Sequence, residues 1–387
     1  MGLLFWESKI KKDFLVLDIG SEAIKFAFLK KRRDEVELQA WALEYLDEYK
    51  SSSLNEEEII RKIISRTLKR PEFKRFPKDV LLGLSPSILK ARIAFVSIQR
   101  KNSKVTLKKR EANLIQVEAL AEAKEKISDS VFESFGILPS ALRFIYVKVL
   151  EIKIDGYPVS CLEGYKGQDI EFKVLLTFAL GQSLQRIENI VQFQRVQIIH
   201  LAQGLLNLIG LEDGVFLDMG GDATQIFLKK NDKLEEIGDF EKGGRIFSQE
   251  ISETLGQRER EARELKERYS KRELGEEVRA KMAQILAKPQ INWYKNLEDA
   301  IKKLNISGLL PQKFYLFGGG AKMPEIKKSL EDEMGNTNSM RDVEVKILSL
   351  KDYYHSLSLR KEKLPFSILD NPQYTPAFLI FYARENI

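Results

Sequence analysis

The chain has 387 residues, 43% hydrophobic and 31% charged, with a formal net charge of +6, a balance that excludes a disordered chain and leaves room for two domains or one large bilobed unit. One cysteine (Cys161) and two histidines (His200 and His355) exclude a disulfide framework and a multi-cysteine or histidine-rich metal site. No apolar run approaches the ~18 residues of a membrane span, and no long basic block points to nucleic acid.

The apolar patch Leu3 to Trp6 precedes Lys9, Lys11 and Lys12, the reverse of signal-peptide order. One short apolar segment anchors poorly to a bilayer, so this stretch is expected to pack on the protein or stay unstructured. The expectation is a reduced, cytoplasmic protein whose slight basic excess suits an acidic partner or an anionic membrane surface.

An internal echo is the most informative feature. Phe14-Leu15-Val16-Leu17-Asp18-Ile19-Gly20-Ser21 leads into an alternating run, Ile24 to Lys31. Far downstream, Val215-Phe216-Leu217-Asp218-Met219-Gly220-Gly221 leads into Thr224 to Lys230. Each reads as an apolar strand, a glycine turn and a second strand. Repetition at this distance predicts two related α/β lobes rather than a short-period solenoid.

The first lobe continues with a strand over Val36–Tyr45 and a helix in which Ile59, Ile60, Ile63, Ile64 and Leu68 recur at helical spacing. Asn55 and Glu58 make a capping pair at its start. Asp79–Leu84 reads as a strand.

The texture then changes. Ile88–Val96, Lys104–Leu107, Ala141–Ile154 and Asp169–Leu180 read as strands, Glu111–Ile127 as a helix and Asp155-Gly156 as a turn, together a small α+β insertion. The lobe pattern returns with a helix from Leu184, a strand over Val196–Leu201 and a helix over Ala202–Ile209. Gln257–Ala287, dense in alternating charge, predicts a solvated helical pair. Lys313–Phe317 is a strand that runs into Gly318-Gly319-Gly320, and Met323-Pro324 opens a helix. The apolar Ala377–Tyr382 closes the chain. His200 is expected to be a satisfied core or cleft-edge residue rather than a base, and Cys161 a passive thiol.

A strand that ends in Asp-x-Gly can aim backbone N–H groups at phosphate oxygens, since nothing bulky blocks the approach. Its carboxylate can hold a hydrated Mg2+ that bridges to phosphates. A lone turn of this kind is commonly only a hairpin. Two of them followed by a third glycine turn at a helix start form a more specific pattern.

This order of motifs resembles the actin-like ATPase superfamily, and within it the FtsA branch of bacterial cell-division proteins, with PilM of type IV pilus assembly as a near relative. The resemblance rests on Asp18-Ile19-Gly20-Ser21 with Lys25, Asp218-Met219-Gly220-Gly221, Lys242-Gly243-Gly244-Arg245-Ile246-Phe247-Ser248 and Leu316-Phe317-Gly318-Gly319-Gly320-Ala321-Lys322-Met323-Pro324. Ile154-Asp155-Gly156-Tyr157-Pro158 and Leu162-Glu163-Gly164-Tyr165-Lys166-Gly167 are similar to the FtsA-type inserted subdomain. The implied fold is α/β and actin-like: duplicated RNase H-like lobes around a nucleotide cleft, with that insertion.

The implied division is 1–84 (first lobe, first phosphate loop), 85–181 (insertion), 182–209 (first lobe), 210–256 (second lobe, second phosphate loop), 257–311 (charged helical subdomain), 312–362 (second lobe, adenosine loop) and 363–387 (closing segment of the first lobe). The implied cofactors are ATP and Mg2+. Asp18 and Asp218 would serve the metal, Gly20, Gly220 and Gly221 the phosphates, and Gly318, Gly319 and Gly320 with Lys266 the adenosine, with Ser21, Lys25, Gly243, Gly244 and Met323 as further cofactor-binding residues.

The chain departs from the family at the turns. Glu22 stands where Ser or Thr is usual, and Asp222-Ala223 where Gly-Thr is usual. Each extra carboxylate repels a polyphosphate by roughly a kcal/mol. Arg263 replaces the Glu of the Ala-Glu-x-x-Lys motif, while Lys266 is kept. Two readings follow. One is an FtsA-like ATP-binding protein with at most slow hydrolysis, which forms filaments and recruits an FtsZ-like partner at the inner membrane face. The other is a PilM-like, nucleotide-poor adaptor. No amphipathic targeting helix is read beyond the closing segment, so membrane contact is expected to be peripheral and made through a partner. A small-molecule kinase is a distant third, for want of an acceptor-binding segment.

Overall fold

The computed structural model describes residues 13–385, apart from 33–34, 50–53, 76, 207, 209–210, 307, 337–342 and 360–363. The apolar patch at Leu3 to Trp6 lies outside the described residues. The chain divides into two compact units, one of Met1–Ser87 with Glu188–Ile387 and one of Ile88–Ile187.

The first lobe opens with β1 (Asp13–Ile19), buried at every position after its first. A continuous apolar run of this kind suits a strand covered on both faces. β2 (Ala23–Arg32) and β3 (Glu35–Tyr45) add antiparallel neighbours on one side. α1 (Glu56–Leu68) is capped as its sequence implies: Asn55 Oδ1 accepts from the Glu58 N–H at 2.9 Å, and the Glu58 carboxylate accepts from the Asn55 N–H at 2.9 Å. Ile59, Ile60, Ile63 and Ile64 form its buried face. β4 (Asp79–Leu84) runs parallel to β1.

The second unit is an antiparallel sheet with a helix laid on it. Its elements are β5 (Leu89–Gln99), α2 (Lys109–Phe135), β6 (Leu142–Ile154), β7 (Tyr157–Val159) and β8 (Asp169–Leu180), with strand order β5-β8-β6-β7. Ala112, Ile115, Ala119, Ala123 and Ile127 of α2 join Val96, Phe172, Val174 and Leu176 of the sheet in one core. Asp155 and Gly156 both have positive φ, 49° and 83°, as the tight β6–β7 turn requires. Lys104–Leu107 is not the strand its sequence suggests. Leu107 is buried and pairs its backbone with a facing loop, donating to Tyr165 O at 2.8 Å and accepting from Gly164 N at 3.0 Å, so no ladder forms.

After β8 come α3 (Gly181–Ile190), β9 (Arg195–Ile198) parallel to β4, and α4 (Leu201–Leu205). His200 is the N-cap of α4, buried, with Nδ1 accepting from the Ala202 N–H at 3.1 Å.

The second lobe repeats the first. β10 (Gly214–Met219), β11 (Thr224–Lys230) and β12 (Lys233–Phe240) form an antiparallel meander. α5 (Arg245–Leu255), α6 (Glu259–Ser270) and α7 (Glu276–Lys302) follow, then β13 (Lys313–Phe317), α8 (Pro324–Asn336) and β14 (Glu344–Ile347). The two five-stranded sheets, β3-β2-β1-β4-β9 and β12-β11-β10-β13-β14, have the same order and the same pattern of parallel and antiparallel pairs. The charged stretch does form two helices. Each also sends one face inward: Ala262 and Tyr269 of α6, and Met282, Leu286, Trp293 and Leu297 of α7, belong to the core of this lobe.

After α9 (Phe366–Leu369), the chain ends its described part in α10 (Thr375–Glu385). This helix packs back on the first lobe, with the Phe381 ring edge-on to Phe14 at 5.9 Å. Gly204 on α4 and Gly83 on β4 admit it: a Cβ at either position would meet Leu379 O at 2.3 Å or Ile380 Cδ1 at 2.1 Å.

Candidate functional site

Both Asp-x-Gly turns form the same way. In the first, β1 and β2 pair as far as Ile19 with Ile24, and the Gly20 N–H donates to Ala23 O at 3.0 Å. In the second, β10 and β11 pair as far as Met219 with Thr224, and the Gly220 N–H donates to Ala223 O at 3.0 Å. The aspartates sit two residues before each turn glycine, and register places Asp18 opposite Lys25 and Asp218 opposite Gln225.

Asp18, Gly20, Ser21, Lys25, Asp218, Gly220, Gly221, Gly318 and Gly319 line one cleft of about 760 Å³, its open mouth included. Gln225, Ser85, Ser87 and Gln373 complete its walls.

At the floor, the Lys25 ammonium donates to Asp18 Oδ2 at 2.6 Å, and Gln225 Nε2 donates to Asp218 Oδ2 at 3.3 Å. Burial pushes the Asp218 carboxyl up to about 7; Lys25 pulls it down and the Asp18 charge adds to the rise. Gly318, at φ 88°, lets the third turn close on this group, since a Cβ there would lie 2.4 Å from Asp218 Oδ1.

At the mouth, the two turns touch. The Asp222 N–H donates to Ser21 Oγ at 3.0 Å, and a Cβ on Gly221 would lie 2.6 Å from that oxygen and 2.5 Å from Glu22 Cγ. Arg245, the first residue of α5, spans them. Its Nη2 donates to Ser21 O at 2.6 Å, its Nη1 lies 2.7 Å from Asp222 Oδ1, and its Nε is 3.7 Å from Glu22 Oε1. Burial raises the Asp222 carboxyl, Arg245 counters this, and Glu22 adds to the rise.

A second arginine joins the lobes elsewhere. Arg263 on α6 is buried, with Nε donating to Asp47 Oδ2 at 2.7 Å and Nη1 to Glu267 Oε1 at 3.0 Å. Its guanidinium lies 3.7 Å from the centre of the Tyr45 ring. The Tyr45 hydroxyl in turn accepts from Gln373 Nε2 at 3.3 Å, beside the third turn.

The remaining sequence candidates stand behind the cleft wall. Gly243 is required by packing, because a Cβ would fall 2.4 Å from Gly221 O. The N–H groups of Gly244 and Arg245 donate to Gly220 O and Gly221 O at 2.8 and 2.9 Å. Lys266 is buried and donates to Gly244 O at 2.9 Å. Gly320 leaves room for Met219, whose side chain a Cβ would approach to 2.6 Å, and Met323 is buried with its sulfur 3.1 Å from Ser270 Oγ. Sequence reading missed Arg245 as a bridging residue, and with it Gln225 and Gln373. Arg245 directly follows Gly243 and Gly244, and its charge is the available signal.

The fit to a Mg2+–nucleotide is divided. The acids and side-chain-free turns are of the right chemical kind at the floor. At the mouth, Ser21 and Glu22 fill the space against Gly221, and Arg245 occupies the two acids.

No family model and no curated protein sequence matches the chain. Among solved structures, it is similar to a PilM–PilN type IV pilus biogenesis complex, with a TM-score of 0.65 at 16% identity over 96% of this chain and 97% of that one. The chain has the actin-like ATPase fold. Weaker likenesses are to the ethanolamine utilization protein EutJ from Carboxydothermus hydrogenoformans (TM-score 0.45, 13% identity, 96% and 90% of the two chains) and to a Bacteroides thetaiotaomicron protein with an actin-like ATPase fold (0.40, 10%, 90% and 96%). The duplicated sheets are the two lobes of this fold, and the site just described is its cleft.

Proposed function

We propose that this chain is a PilM-like adaptor: an actin-fold scaffold that binds partner proteins of a pilus-type assembly and takes Mg2+ and ATP only weakly. The observation that carries this reading is the mouth of the cleft, where Arg245 ties Glu22 to Asp222 and the two turns touch. An incoming phosphate must break these contacts and then meet two carboxylates. The likeness to the PilM–PilN complex supports a protein partner over a small-molecule substrate. Membrane contact, in this reading, is peripheral and runs through that partner. No helix among the described residues is long and apolar enough to cross a membrane.

An FtsA-like reading has one observation in its favour, since Asp18 and Asp218 face one cavity as a metal-binding pair would. On that reading the protein binds ATP, polymerises and recruits an FtsZ-like division partner. Calorimetric titration with ATP and Mg2+ separates the two. The adaptor reading expects a Kd near or above about 1 mM, roughly 4 kcal/mol of binding free energy. Micromolar affinity would overturn it.

A further inference from the structure

We infer that Arg245 and Arg263 clasp the two lobes in the way a bound nucleotide otherwise would, so that the cleft holds its closed form with protein groups alone. This rests on the adaptor reading above, and the experiment below keeps the two apart.

Each arginine issues from the second lobe and is met by acids of the first. Arg245 starts α5 and reaches the first turn at Ser21 O and Glu22, while its other nitrogen keeps Asp222 of the second turn. Arg263 leaves α6 and reaches Asp47 at 2.7 Å and Glu48 at 3.7 Å, just beyond β3, and lies over Tyr45. One clasp therefore sits at the phosphate turns. The other sits at the end where Tyr45 and Gln373 adjoin the third glycine turn.

The chemistry suits a clasp. A nucleotide held between the turns would offer negative charge to donors on both sides; here one positive guanidinium is shared by acceptors on both sides. The planar fork of an arginine can serve several oxygens at once, which a lysine cannot do with fixed geometry. Isolated surface ion pairs contribute little, but the Arg263 side chain is only 6% exposed and Asp47 13%. Removing Arg263 would leave Asp47 without that counter-ion in a largely buried setting, which is costlier than losing a surface pair. The acids that would repel a polyphosphate, Glu22 and Asp222, gain a role as the two grips on Arg245. Arg263 gains one as well.

Hydrogen exchange without nucleotide tests this on the full chain. In the wild type, the amides of 20–22, 46–48 and 220–222 are expected to exchange slowly, with no further slowing on adding ATP and Mg2+. Arg245→Ala should speed exchange at both turns by about tenfold, and Asp47→Asn should do so at 46–48, with strands β1 and β10 unchanged. Wild-type protein in about 1 M NaCl, where screening shortens to roughly 3 Å, needs no variant to fold. There the more exposed Arg245 end should loosen more than the buried Arg263 end. The clasp is overturned if both variants fold and exchange like the wild type, or if wild-type protection appears only with ATP. Tight ATP binding together with slow exchange in its absence would reject the adaptor reading and leave the clasp in place.

Discussion

Gly318 and Gly319 are neighbours in one glycine run, yet the structure asks different things of them. Gly318 has φ 88° and no room for a Cβ, which would meet Asp218 Oδ1 at 2.4 Å and Met219 O at 2.7 Å. Gly319 has one distant neighbour, Gln373 Nε2 at 3.9 Å, and faces the cleft. The requirement at 318 is thus conformational and steric, and that at 319 is only openness. Gly318→Ala should cost about 2 kcal/mol or more through strain and displacement of the third turn. Gly319→Ala should lie within about 0.5 kcal/mol of the wild type. Urea unfolding of the two variants checks this, and equal losses would refute the distinction. Such a difference could not be read from a run of three glycines, because the atoms that a Cβ at 318 would meet belong to Asp218 and Met219, far upstream in the sequence.

At the level of elements, legibility followed the range of the interaction that fixes each one. α1 was readable to its cap because Asn55 and Glu58 are three residues apart and satisfy each other. Replacing Asn55 with Ala should therefore cost about 1 kcal/mol, seen as a lower urea midpoint at unchanged slope, with no loss at the cleft. β4 and β8 run as expected over Asp79–Leu84 and Asp169–Leu180, since apolar runs bounded by turn residues define them locally. Lys104–Leu107 failed for the opposite reason: it bonds to the loop at 164–165, and nothing within the tetrapeptide announces that partner. The cleft divides along the same line. The Asp-x-Gly turns are local and repeated, and were legible. Arg245 finds Ser21 across 224 residues and Arg263 finds Asp47 across 216, so the acids Glu22 and Asp222 read as bare repulsion until the fold supplied their counter-ion.

At the scale of the whole chain, the echo between the two hairpins extends further than the repeated residues. β4 matches β13 and β9 matches β14 in order and direction, although the sequence repeat stops at Lys31 and Lys230. Topology outlasts sequence here because a parallel strand beside β1 or β10 needs only apolar character to pair. The unit Ile88–Ile187 stands outside this duplication. Its sheet is antiparallel, α2 and the sheet share a core of their own, and Arg100 is paired through Nε and Nη2 with the Glu111 carboxylate at 2.6 and 2.9 Å. Its chain ends leave from adjoining strands, since Leu89 pairs with Ala179. A unit of about a hundred residues with its own core and neighbouring ends has what an autonomous domain needs. Expressed alone, residues 88–187 should melt cooperatively with a stability on the order of 5 kcal/mol, and the amides of β8, the strand paired along nearly its whole length on both sides, should exchange slowest. A broad, non-cooperative melt, or β8 amides that exchange as fast as those of β7, would show that this unit depends on the rest of the chain for its fold.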